Sequence, residues 1–180
     1  VIERYFLTSA IYNQMMLWTQ LKRIQPLYDS AFHGLNSTYF NKCVCGNDDV
    51  AIVIHTMEGY VFGAFCGKKL SEPKKGKSVV KKDKEHFAFF LNSPQGIPPQ
   101  KLLLKNGNES VITYYAGYPK VCGCRHFFSI SLDDCHINGK FVEDYNVVGK
   151  AAPYGASVFT GTTKPERFNI RFLAAVRFLK

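Results

Sequence analysis

The chain has 180 residues, 46% of them hydrophobic and 21% charged, with a formal net charge of +9. One domain with a small appendage is expected at that length, burying roughly 70% of the surface its unfolded chain exposes, so no metal or disulfide is needed for it to stand. No apolar run reaches the about 18 residues of a membrane-spanning helix, and six cysteines in so long a chain read as mostly reduced thiols of a cytosolic protein, not as a disulfide scaffold.

In chain order, Ser9 is placed to cap a helix through about Arg23. Ile11, Met15, Trp18 and Leu21 recur on one face, and Lys22 and Arg23 lie at the end that favours cations. Pro26 stops it. A short helix is expected over Ser37–Lys42, with Tyr39 and Phe40 available for packing. Strands follow at Val50–Thr56 and Tyr60–Cys66, joined by Met57-Glu58-Gly59 in a hairpin. The first of these is apolar on both faces, with Val50, Ile52 and Ile54 on one and Ala51 and Val53 on the other. That predicts a central strand covered by a second sheet on one side and a helix on the other. Residues 68–84 read as a solvated loop broken by Pro73 and Gly76. Further strands are expected at Phe87–Leu91, Leu102–Lys105, Val111–Tyr115, Phe127–Leu132 and Phe168–Phe178. Between them, 146–166 is a Gly- and Pro-punctuated connection with a short strand around Val158. The pattern predicts a mainly β protein with flanking helices (α+β), a two-sheet antiparallel β-sandwich. An N-terminal helical extension, residues 1–25, precedes the main domain, 26–180.

The charge is concentrated. Lys68, Lys69, Lys74, Lys75, Lys77, Lys81, Lys82 and Lys84 stand against only Glu72 and Asp83. Such a run is a solvated loop that keeps a sheet edge soluble, a contact for an acidic protein partner, or a contact for nucleic-acid phosphates or an anionic membrane. No aromatic residue is interleaved among these lysines, which argues against a base-stacking platform. Two Cys-x-Cys pairs, Cys43/Cys45 and Cys122/Cys124, have His126 near the second. On a strand each pair would point two thiols to one face, as a metal requires. Their spacing is not that of a zinc ribbon, and free thiols, some of them core residues, are the plainer reading. A variant gives thiols near Lys120 and Arg125 lowered pKa values and ready oxidation. A nucleophilic pair of Cys124 or Cys66 with His126 or His55 has no local signature behind it. Two sequons, Asn36-Ser37-Thr38 and Asn108-Glu109-Ser110, matter only in a secreted chain. No signal peptide is visible, although Val1 is not an initiator residue.

Four ordered stretches carry a family resemblance: "LYDSAFHGLNSTYFNKC" (27–43), "TMEGYVFGAFC" (56–66), "HFAFFLNSP" (86–94) with the "LLLKN" and "VITYYAGY" that follow, and "CGCRHFFSIS" (122–131). Over about residues 26–180 the chain resembles the TLDc domain family of oxidation-resistance proteins. The Glu58-Gly59-Tyr60 stretch is the most specific part of the match. The resemblance implies a two-sheet β-sandwich acting as a non-enzymatic protein-interaction module, linked to oxidative-stress resistance and to regulation of the vacuolar proton-pumping ATPase by direct binding. It implies no cofactor. The chain departs from the family pattern at His33-Gly34, at His126-Phe127 and in the acid-free stretch between Arg171 and Lys180, so no catalytic residue carries over. The expected location is the cytoplasm, with the nucleus and endolysosomal membrane surfaces as alternatives. The rival functions are a nucleic-acid-binding regulatory domain using Lys68–Lys84, and a thiol redox or metal module.

Overall fold

A computed structural model describes residues 2–161 and 167–180. Helix α1 (Ile2–Thr19) leads to strand β1 (Arg23–Asp29), the single turn α2 (Ser30–His33) and helix α3 (Ser37–Val44). Strands β2 (Val50–Thr56) and β3 (Val61–Cys66) form the predicted hairpin. They are followed by β4 (Lys77–Lys81), β5 (Phe87–Asn92), β6 (Gln100–Leu103), β7 (Glu109–Tyr114), β8 (Lys120–Cys124), β9 (Phe128–Ser131) and β10 (Cys135–Ile137). Single turns α4 (Phe141–Asp144) and α5 (Ser157–Thr160) flank a 3-10 turn at Gly149–Ala151, before β11 (Arg167–Phe168) and β12 (Ile170–Leu179).

Two six-stranded antiparallel sheets result. The first runs β1-β12-β2-β3-β5-β6 and the second β11-β10-β9-β8-β7-β4. The main core lies between them, where Ile52, Ile54, Phe62, Phe90 and Leu173 of the first sheet meet Val111, Cys122, Phe128 and Ile130 of the second. Period-2 alternation sends the intervening residues of the first sheet to its other face. There Ala51, Val53, Phe65, Phe89, Val176 and Phe178 are covered by Ile11 and Met15 of α1. The two-sided burial predicted for Val50–Thr56 is thus observed, with a sheet on one side and a helix on the other.

Several expectations are corrected. Ser9 does not start α1; it lies inside the helix and is exposed. Arg23 and Pro26 belong to β1. Pro26, which has no N–H to donate, is accommodated because β1 is an edge strand, with a register shift between Pro26 and Tyr28. The expected loop 68–84 contains a strand, β4, because charged side chains are compatible with an edge position and Val79 and Val80 supply β propensity. The segment around Val158 is a helical turn that buries Val158 and Phe159, not a strand. Residues 162–166 of the connection lie outside the described residues. The single strand expected at Phe168–Phe178 is two, β11 and β12, which join different sheets. No helix among the described residues is long and apolar enough to cross a membrane.

Candidate functional site

The lysine segment is a loop tied at its base. Asp83 accepts the Gly67 N–H at Oδ2 (2.8 Å) and the Glu85 N–H at Oδ1 (3.0 Å), so one carboxylate joins its two ends. A side chain at Gly67 would meet Glu85, 2.6 Å from its Cβ. Buried Leu70 is pinned by backbone bonds, donating to Asn47 O (3.0 Å) and accepting from Gly46 N (2.7 Å), and Thr113 Oγ1 donates to Ser71 O (2.6 Å). The backbone is therefore held while the charges point outward. All eight lysines are exposed. Among the described residues only Lys81 of the eight is in an ion pair, with Glu109 at 3.8 Å, and Glu109 is shared with Arg125 at 2.9 Å.

The fold adds aromatic groups that the local sequence lacks. The Tyr115 N–H donates to Gly76 O (3.1 Å) and Lys77 pairs with Tyr114, which brings the β7–β8 hairpin end to the Gly76 turn. There Tyr118 stacks on Tyr114 (5.1 Å between centroids), Tyr115 lies tilted 5.0 Å from Tyr118, and Lys120 Nζ sits 5.8 Å from the Tyr114 ring centre. The separation of aromatics from the lysines in sequence is not a separation in space. A Tyr-rich turn beside a lysine-rich one could have been suspected only by pairing residues about 40 apart.

Beside Lys82 and Lys84 an open groove of about 460 Å³ is lined by Asp83, His86, Leu103, Leu104, Asn108 and Ser110. His86 is buried at its inner wall. Its Nδ1 lies 2.8 Å from Phe65 O, which can only accept, so Nδ1 carries the proton and Nε2 accepts from the Tyr145 hydroxyl at 2.6 Å. The Tyr145 oxygen in turn lies 3.5 Å from Cys124 Sγ and accepts its S–H. Burial lowers the His86 pKa from 6.5 and raises those of Tyr145 and Cys124, the latter to about 12. This chain links Phe65 of the first sheet to Cys124 of the second and engages both ring nitrogens of His86.

The metal and nucleophile candidates separate in space. Cys122 and Cys124 do point to one face of β8, as their spacing predicts, but that face is the main core, and burial pushes both thiols up. This corrects the reading of low-pKa, readily oxidised thiols near Lys120 and Arg125. His126 turns away from Cys124, taking a left-handed backbone (φ 55°) in the β8–β9 turn and placing Nδ1 2.5 Å from Asp144 Oδ2. The histidine nearest Cys124 is His86, at 4.0 Å, which the sequence did not single out. Cys43 and Cys45 are half-buried at the end of α3, and burial raises Cys45 to about 12. No group of three or more potential metal ligands occurs among the described residues. Cys66 packs in the main core with Phe62 and Ala64, and its Sγ donates to Lys68 O (3.2 Å). A Cβ on Gly63 would sit 1.9 Å from Ile52 O and 2.9 Å from Phe89, so no ligand cavity opens beside that glycine.

No curated protein matches the chain. The TLDc domain model matches residues 3–173, a span that includes α1 and extends N-terminal to the resemblance read from motifs. With two six-stranded antiparallel sheets, the hairpin around Glu58-Gly59 and a match over nearly the whole length, the chain belongs to the TLDc domain family.

Proposed function

We propose that this chain is a non-enzymatic protein-interaction domain that docks an acidic partner surface through Lys68, Lys69, Lys74, Lys75, Lys77, Lys81, Lys82 and Lys84. The observation that carries the reading is the exposure of all eight lysines on a backbone anchored by Asp83 and Leu70, with a single ion pair among them. Fixed positive charge on a pre-ordered loop steers association with an acidic surface at little ordering cost. Membership of the TLDc family makes the subunits of the vacuolar proton-pumping ATPase the first partners to test and oxidative-stress resistance the first phenotype. A protective role acting through the partner is consistent with the thiols of Cys45, Cys66, Cys122, Cys124 and Cys135, which burial raises. The setting would be the cytoplasmic face of endolysosomal membranes. Native co-purification with the intact domain should recover pump subunits, and reversing Lys74, Lys75, Lys77 and Lys81 to Glu should abolish recovery. Recovery unchanged by those reversals would count against the lysine surface.

A second reading, nucleic-acid binding, gains from the tyrosines placed beside the lysines. It requires salt-dependent binding to random duplex or single strands. Absence of binding at low salt removes it.

A further inference from the structure

The two sheets have four edges, and they are not equivalent. The β6 edge is covered: Asn146 N donates to Leu103 O (2.9 Å), Leu104 pairs with Tyr145, and Gln100 Nε2 reaches Val148 O. The β1 edge is interrupted by Pro26 and a register shift. β11 has two residues. β4 is five residues long, and its backbone pairs only with β7 among the described residues. On its open side a side chain, Lys68 Nζ, donates to Lys81 O at 2.8 Å. Lys77 and Lys81, at its two ends, are both exposed.

We propose that the open edge of β4 accepts an extended acidic segment of a partner protein as a seventh strand of its sheet. This rests on the interaction-domain reading above and specifies how the partner is held. Main-chain hydrogen bonds to an edge strand supply affinity, and alternate side chains supply selectivity. Lysine on an edge strand normally prevents pairing, because a second copy of the same edge brings like charge directly opposite. Residues 68–84 carry eight lysines against two acids, which sets like charge against the same edge of a second copy. It does not exclude a strand bearing Glu or Asp at alternate positions, which meets Lys77 and Lys81 as cross-strand opposite charges. The Lys68 ammonium that caps Lys81 O is exposed and returns to water when the incoming N–H replaces it. The register shift between Val79 and Lys81, followed by the left-handed Lys82 (φ 53°), ends the ladder and limits the added strand to about five residues, roughly 17 Å.

The experiment uses the full chain and a short fluorescein-labelled peptide of alternating Glu and Val, with two further versions N-methylated at every second residue, one for each phase. N-methylation removes main-chain donors from one edge of the peptide and leaves its charge intact. Binding of the parent peptide is expected, with slowed amide hydrogen exchange at residues 77–81. One N-methylated phase should weaken binding by about tenfold or more, while the other, whose blocked donors face solvent, changes it little. Lys77→Glu with Lys81→Glu should weaken it comparably while thermal unfolding is unchanged. Equal binding by both N-methylated versions would show attraction by charge alone, sinking the added strand while leaving the lysine surface standing. No binding by the parent peptide, or tighter binding of single-stranded DNA than of the peptide, would overturn the proposal. Peptide binding indifferent to the lysine reversals would overturn both it and the interaction surface.

Discussion

Tyr145 shows what a single hydroxyl does in this core. It donates to His86 Nε2 and accepts from Cys124, so removing it orphans a buried acceptor. Tyr145→Phe should cost about 1–3 kcal/mol in urea unfolding, and a change below about 0.5 kcal/mol would contradict the relay. His86 also sets a pH dependence. Its folded pKa is depressed, so its stability contribution is complete above about pH 6.5, the unfolded value. It is lost as pH falls from there through the lower folded value, because the unfolded chain takes up the proton first. The wild type should lose more stability than His86→Gln over that interval, and parallel curves would contradict this. At Gly63 the added Cβ has nowhere to go, since the nearest atom is a backbone carbonyl. Gly63→Ala should therefore prevent folding or destabilise by several kcal/mol, on the order of the largest core effects. With a thiol reagent at neutral pH, labelling of the native protein should be fastest at half-buried Cys43, slower at Cys45, whose thiol burial raises to about 12, and reach all six thiols only after unfolding. Fast native labelling of Cys66, Cys122, Cys124 or Cys135 would revive the redox module.

At the scale of elements, α1 acts as the cover of the first sheet's outer face. Met15 is fully buried against that face, and Trp18, the chain's only tryptophan, packs on Phe87 and Phe89. Met15→Ala should cost about 2–5 kcal/mol, with Trp emission shifting to the red as the helix loosens. Unchanged emission and stability would mean the helix is not held by that contact. The face of this helix was legible because Ile11, Met15 and Trp18 keep a 3.6-residue period; its start was not, because Ser9 is an exposed polar residue inside the helix. The β2–β3 hairpin was legible for the complementary reason, strict two-sided apolarity around a glycine turn, where Gly59 takes φ 93°. Strand β8 was missed because Lys-Val-Cys-Gly-Cys is short, carries a glycine and has little β propensity of its own. Burial between β7 and β9 makes it a strand.

For the molecule as a whole, the decisive quantity is where the net charge of +9 sits. The lysine run and the shared face of Cys122 and Cys124 could both be read from residue order, because each depends on neighbours one to a few positions away. The family could be read from four ordered motifs, and the sandwich is what that resemblance implies. Contacts across tens of residues decided the rest. Pairing of Lys77 with Tyr114 turned five residues of the expected loop into an edge strand and set tyrosines beside lysines. Packing of the two sheets buried Cys66, Cys122 and Cys124 and raised their pKa values, and it joined His86, Tyr145 and Cys124 from three distant segments. Sequence fixes what each residue can do locally through period, propensity and charge. Only the closed sandwich determines which groups lose water and which strand edge is left without a partner, because both depend on what the rest of the chain covers.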